Sequence, residues 1–232
     1  MIAQVQIRDR SGPDAQCIRD NGFCPDWIAH NLDRYTDPFV QHVVLTVLSV
    51  GIGFVIAFAL ALVAHRRRWL VGPITNVTGI LYTIPSVALF FLLLPITGRG
   101  TVTAVIALTS YTLLILFRNI IAGLDGVPDD ARDAGRGMGL TERQLFWRVE
   151  LPLARPAILA GLRVAATTTV GLAALAFFAG AGGLGEQLTT DKTFKSNVVV
   201  AGGLCIALAA ALDALILLVQ RLSTPWTRAA AR

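Results

Sequence analysis

A chain of 232 residues is long enough for one domain, but 54% hydrophobic residues, 15% charged residues and a mean hydropathy of +0.63 exclude an ordinary soluble protein, in which about a quarter of residues are charged. The formal net charge of +5 does not indicate nucleic acid, because the arginines are scattered beside apolar stretches and not gathered on one face. An all-α membrane protein with its basic residues on one side of the bilayer accounts for both features.

Residues 1–38 are polar, and Asp9, Asp14, Asp20, Asp26, Asp33 and Asp37 outnumber Arg8, Arg10, Arg19 and Arg34. The opening residues MIAQVQIRDRSGPDAQ lack an apolar core, so neither a cleavable signal peptide nor an anchor is expected there. In CPDWIAHNLDRYTDPF, the aromatics Trp27, Tyr35 and Phe39 predict a short interfacial helix at headgroup level. Cys17 and Cys24 form a local disulfide if this tail lies outside the cell and stay free thiols if it does not. Two sulfurs with no second ligand pair at a metal spacing predict no metal site.

The first span runs from about 40 to 64 and ends at His65-Arg66-Arg67-Arg68. A triple arginine beside a span marks the cytoplasmic side. The second span, about 71–96, carries Pro85 near its middle, in Thr83-Ile84-Pro85-Ser86. A break there must face protein or water, which puts Thr83, Pro85 and Ser86 beside a pathway or else marks a kink that only shapes packing. The third span covers about 101–121.

A polar interruption follows, 127–152, reading VPDDARDAGRGMGLTERQLFWRVELP. Pro128 suits a first helical turn, Asp129 and Asp130 favour the positive end of the helix dipole, and Gly139 can end the helix in the left-handed conformation. Thr141 with Gln144 makes a capping box for a second short helix, which Pro152 is expected to separate from the following span. The interruption thus reads as helix, glycine turn, helix.

The fourth span, about 154–179, is followed by Gly180-Ala-Gly182-Gly183-Leu-Gly185, and the fifth covers about 198–219. The glycine run satisfies GxGxxG, but it follows a membrane helix and opens no βαβ unit, so it reads as a mobile or tightly packed loop near an entrance. Arg163 and Asp213 lie within spans. Either they pair, tying the fourth span to the fifth, or Arg163 snorkels to the interface.

Five spans place the termini on opposite sides. With the N-terminus outside, the inner side receives Arg66, Arg67, Arg68, the arginines of the interruption, Arg221, Arg228 and Arg232, and the outer loops keep only Arg99, Lys192 and Lys195. There is no Walker loop, HExxH or GxSxG, and no pair of intramembrane carboxylates for a proton relay. The chain is therefore expected not to be an enzyme and to take its energy from a partner.

The run Asp133-Ala134-Gly135, then Gly139, then Val149-Glu150-Leu151-Pro152 resembles the EAA loop of permease subunits of bacterial ABC importers. Asp133 replaces the usual glutamate and Gly135 the second alanine. The resemblance spans about 39–220, and Thr83–Ser86, Gly137–Gly139 and Gly180–Gly185 look like the osmoprotectant branch. It implies a five-span type I importer permease core, with a tail at 1–38 and a cytoplasmic end at 221–232. It also implies two ATPase subunits on the EAA helices, a second permease subunit (a copy or a paralogue) and an external binding protein. Membrane lipid surrounds the core, and no nucleic acid is involved. ATP and magnesium belong to the ATPase, leaving no cofactor in this chain.

On that resemblance Ala131, Arg132, Asp133, Ala134, Gly135, Arg136, Gly139, Leu151 and Pro152 are the coupling residues. The small ones enter a groove on the ATPase, and Arg132, Asp133 and Arg136 set register by charge. The implied cargo is glycine betaine, choline, carnitine or proline betaine, with methionine importers as the nearest competitor. A self-contained channel or ion-coupled carrier is the alternative from another class. Phe90, Phe91, Phe177 and Phe178 could offer aromatic faces along the pathway or face lipid.

Overall fold

A computed structural model describes residues 15–190 and 192–225. Of the charges used above, Arg8, Arg10, Asp9, Asp14, Arg228 and Arg232 lie outside the described residues. The described chain is helical: α1 (Ala15–Arg19), α2 (Pro25–His30), α3 (Thr36–Arg66), α4 (Val71–Thr83), α5 (Ser86–Thr97), α6 (Thr101–Asp125), α7 (Asp129–Gly137), α8 (Glu142–Leu145), α9 (Leu151–Ala173), α10 (Leu184–Thr190) and α11 (Lys195–Ser223).

Four helical rods among the described residues are long and apolar enough to cross a bilayer, and α4 with α5, bent by 96° where they join, makes either a broken fifth span or a re-entrant loop. The break has a direct cause. Pro85 has no N–H to offer the carbonyl four residues back, and Ile84 and Pro85 both turn extended, with ψ of 127° and 132°. The Tyr111 hydroxyl, from the middle of α6, donates to the Ile84 carbonyl and so satisfies one group the break exposes.

The rods α3, α6 and α9 form the centre. Their contact surfaces are built from small residues, among them Ala57, Ala61, Ala104, Ala107, Ala154 and Ala165, all buried. Apolar lipid gives no hydrophobic drive between helices, so close backbone approach and dense packing must hold them. Two glycines show how close that approach is: a Cβ on Gly53 would run into the Thr112 hydroxyl, and one on Gly161 into Asn119. Larger side chains then fill two regions, one around Leu116, Phe117 and Ile158 toward the polar segment, the other around Leu45, Phe90 and Leu108 toward the opposite end.

The helices differ from the sequence reading in instructive ways. The first and last rods overrun their expected ends, α3 covering 36–66 and α11 covering 195–223. The fourth span stops at Ala173, and a tighter turn, Ala176–Ala179, replaces its last part before Gly180 adopts a left-handed φ of 73°. Pro152 does not separate two helices. Helix α8 passes through a π-helical turn, Phe146–Glu150, directly into α9, making one rod from Glu142 to Ala173. Leu151 donates to the Phe146 carbonyl five residues back, so Pro152 sits where the hydrogen-bond register returns to four, the place where a missing N–H costs least.

At the end opposite the polar segment, the N-terminal residues fold onto the start of α11. Trp27 packs edge-on against Phe194 at 4.8 Å, and Tyr35 is buried with its hydroxyl donating to Asn197 Oδ1 at 2.6 Å. These aromatics dock the N-terminal helices onto the start of α11. Cys17 and Cys24 are joined by a disulfide with Cα atoms 6.1 Å apart.

Candidate functional site

The polar segment folds as a helical pair held against the bundle. Pro128 stands just before α7 as its cap, and Asp129 and Asp130 occupy the first turn. Gly139 adopts φ 78°, which lets Leu140 donate back to the Gly135 carbonyl at 3.2 Å and closes the helix. Thr141 and Gln144 then form a reciprocal capping box at the start of α8.

Which faces of this pair are outward is decided by packing. Gly135 is buried beneath Leu145, and a Cβ there would collide with the Leu145 side chain. Its smallness serves the α7–α8 contact. Ala134 and Gly137 are exposed and Ala131 is half-buried. The side chain of Asp133 is 74% exposed, and Arg136 beside it reaches Asp133 at 3.6 Å and Glu142 at 3.3 Å. Met138 projects at the tip, 72% exposed.

Arg132 turns inward, and its side chain is only 14% exposed. Nε donates to Glu150 Oε1 at 2.8 Å, Nη1 to the Val127 carbonyl at 2.9 Å and to Asp129 Oδ1 at 2.8 Å, and Nη2 to the Leu124 carbonyl at 2.8 Å. The hydrogen bond it donates to Glu150 is the main influence raising the guanidinium above its ordinary pKa. Arg132 therefore stays cationic at any working pH.

Glu150 and His65 were not singled out from sequence as site residues. Glu150 is 6% exposed, and its second oxygen, Oε2, lies 2.9 Å from His65 Nε2. The available signal was a carboxylate between Val149 and Leu151 at the mouth of a span, a place where charge persists only with a partner. Beside it a cleft of about 920 Å³ opens between the end of α3 and the α8 rod, lined in part by His65, Arg66, Arg143, Phe146, Trp147 and Glu150. Leu151 and Pro152 open α9 and are half-buried.

The second group of predicted residues lies away from this site. Thr83 and Pro85 are exposed at the break in the second span and Ser86 is half-buried; Thr83 Oγ1 donates to the Ile80 carbonyl at 2.7 Å. Phe91 and Phe178 approach at 5.8 Å and Phe177 and Phe178 at 4.1 Å, while Phe90 is fully buried, so it offers no face to a pathway. The glycine loop is tightly packed. Gly180, Gly182 and Gly183 all have positive φ, Gly183 donates to Gln41 Oε1 at 3.2 Å, and a Cβ on Gly185 would be driven into the Ala174 carbonyl. Arg163 and Asp213 come together across α9 and α11. No group of three or more His, Cys, Asp or Glu side chains able to hold a metal occurs among the described residues.

Comparison with known proteins agrees with this geometry. Residues 49–228 match the model of a family described as binding-protein-dependent transport system inner membrane component. The chain is 38% identical over 192 residues to the osmoprotectant import permease protein OsmW of Salmonella typhimurium, covering 80% of this chain and 89% of that one. It is 32% identical over 187 residues to the choline transport system permease protein OpuBB of Bacillus subtilis, covering 80% and 86%. Among solved structures, the inward-facing MetNI methionine ABC transporter superposes with a TM-score of 0.68 over 78% of this chain and 94% of that one, at 22% identity, which speaks for the fold alone. An all-α, multi-span permease fold with a fastened polar helix pair, matched by this family model over most of its length, identifies the chain as a member of the binding-protein-dependent transport system inner membrane component family.

Proposed function

We propose that the chain is the transmembrane subunit of an ATP-driven importer for a compatible solute of the quaternary ammonium type, such as glycine betaine, choline or carnitine. The observation that carries the coupling half of this reading is the α7–α8 pair, rigidly held on one side and offering Asp133, Ala134, Arg136, Gly137 and Met138 on the other. That surface suits an ATPase subunit. The substrate half is supported by relatives at 32–38% identity that are named for osmoprotectant, choline or carnitine transport. The methionine transporter shares the fold at 22% identity, too little to carry its substrate across.

The basic residues favour an N-terminus outside and α7 in the cytoplasm of a bacterial cell, with the chain in its plasma membrane. A second permease subunit, a copy or a paralogue, completes the pathway, and an external binding protein delivers the solute. ATP closes the ATPase dimer, and the movement of α7 switches access to the pathway. Recognition of the ammonium group rests with the binding protein, through cation–π contact with aromatic rings. Affinity purification with its ATPase tests the reading: wild type retrieves the ATPase and Gly139→Arg does not. Uptake of glycine betaine by vesicles holding this chain without an ATPase and without ATP would sink it.

A further inference from the structure

Helix α7 is fastened to the bundle through two side chains. Glu150 takes Arg132 Nε on one oxygen at 2.8 Å and His65 Nε2 on the other at 2.9 Å. Arg132 spends its remaining donors on the Leu124 carbonyl at the end of α6 and the Val127 carbonyl just beyond it, each within 2.9 Å, and on Asp129. Four segments therefore meet at one point: the last turn of α3, the end of α6, α7 itself and the π-turn that feeds α9.

We propose that Glu150 and Arg132 are a positioning pair that makes α7 and the adjoining ends of α3, α6 and α9 move as one body, so that force applied at α7 reaches the pathway helices. The inference rests on the reading of α7 as the ATPase contact. The choice of ions over apolar packing supports it. A buried ion pair contributes little to stability, since desolvation offsets the attraction, and an apolar pair would fill the same space as well. A guanidinium fork, however, fixes angle as well as distance. Apolar side chains slide past one another under load, whereas these directed bonds resist both sliding and rotation.

The surroundings fit that role. The cleft beside Glu150 leaves α3 and the α8 rod apart over part of their facing surfaces, and the His65 ring bridges it, packing on Phe146 at 5.6 Å while bonding Glu150. The charged groups facing the pair are Asp129, from α7, and Arg66, Glu142 and Arg143 along the cleft. At the same end, Arg68 and Asp125 form a second ion pair between the connection after α3 and the end of α6, but both side chains are about half exposed. That pair is the internal control.

The test uses the complete importer in proteoliposomes, with its ATPase, both permease subunits and the binding protein loaded with glycine betaine. Three quantities are read: ATPase retained on purification, stimulation of ATP hydrolysis by the loaded binding protein, and solute moved per ATP. Glu150→Gln, His65→Gln and Arg132→Lys are compared with Asp125→Asn. The three variants are expected to retain the ATPase while stimulation and solute per ATP fall by about fivefold or more, the lower range of coupling effects between sites. Arg132→Lys keeps the charge yet loses the fork, so a fall there separates geometry from charge. Asp125→Asn is expected to match wild type. Wild-type solute per ATP in assembled Glu150→Gln overturns the proposal; if that variant does not assemble, the same result in both His65→Gln and Arg132→Lys does so. A wild-type chain that retrieves no ATPase defeats the reading of α7, and the proposal with it.

Discussion

Arg163 and Asp213 meet through two parallel bonds, Nε to Oδ1 at 2.7 Å and Nη2 to Oδ2 at 2.8 Å, and join α9 to α11. The join matters because α11 is otherwise lightly held: only 6% of its most apolar window is buried within the chain. In an apolar surround each charge is tolerable only with its partner. Asp213→Asn and Arg163→Gln are each expected to lower the yield of assembled complex on size exclusion, and the exchange Arg163→Asp with Asp213→Arg to restore most of it. An exchange no better than either single change would show that the residues act separately.

The glycine loop allows a sharper test, because Gly185 within it and Gly171 in α9 differ in what surrounds them. A Cβ on Gly185 points into the Ala174 carbonyl, whereas one on Gly171 meets nothing within 4 Å. Gly185→Ala must displace backbone and is expected to cost about 1–3 kcal/mol or more, as overpacking does. Gly171→Ala adds helix propensity worth roughly 0.5–1 kcal/mol and should not impair uptake. Thermal unfolding of the purified chain in detergent checks both, and equal midpoints for the two variants would contradict the packing described.

Much of this fold was legible because the membrane imposes strong patterns. Long apolar runs gave the spans, and the helix–glycine–helix segment followed from Asp129, Gly139 and the Thr141–Gln144 box, all local signals. What sequence did not show depends on which way a side chain turns after packing. Arg132 and Asp133 are adjacent charges, yet one is buried in a network and the other exposed, because α7 lies with one face toward the end of α6 and the π-turn. Glu150 and His65 are 85 residues apart, and only the antiparallel run of α3 and α9 brings them together. Pro152 misled for a related reason: a proline stops a helix only where its N–H is needed, and the π-turn removes that need.

The break in the second span gives a further expectation. Pro85 withholds the N–H that the Leu81 carbonyl would otherwise accept, and Tyr111 closes the neighbouring Ile84 carbonyl. Pro85→Ala restores the missing donor and allows α4 to run on toward α5. Uptake is expected to fall in this variant, and single cysteines at Thr83 and Ser86 to lose reactivity toward a water-soluble maleimide as the break closes. Unchanged uptake with unchanged labelling would mean that the bend is held by packing alone. Tyr111→Phe, which removes one hydrogen bond worth about 1 kcal/mol, is expected to give a milder loss of uptake.

The N-terminal fold at the start of α11 offers a test of sidedness as well as of structure. Cys24 N–H donates to Ser196 Oγ at 2.7 Å, Ser196 Oγ donates to the Gly22 carbonyl at 3.2 Å and Lys195 N–H to the Asn21 carbonyl at 3.4 Å, so the stapled turn is clasped to α11, with Tyr35 reaching Asn197 beside it. Closing so short a loop is worth about 2–3 kcal/mol by chain entropy. Cys17→Ser with Cys24→Ser is therefore expected to speed amide exchange over 15–30 and at the first turn of α11, leaving α6 and α9 unchanged. Chemistry on intact cells then decides the orientation. With the N-terminus outside, a membrane-impermeant maleimide labels Cys17 and Cys24 only after an external reductant has opened the bond. With it inside, cytosolic thiols hold the pair reduced and the same reagent finds nothing, before or after reduction. The second result would invert the topology and place α7 on the wrong side for an ATPase.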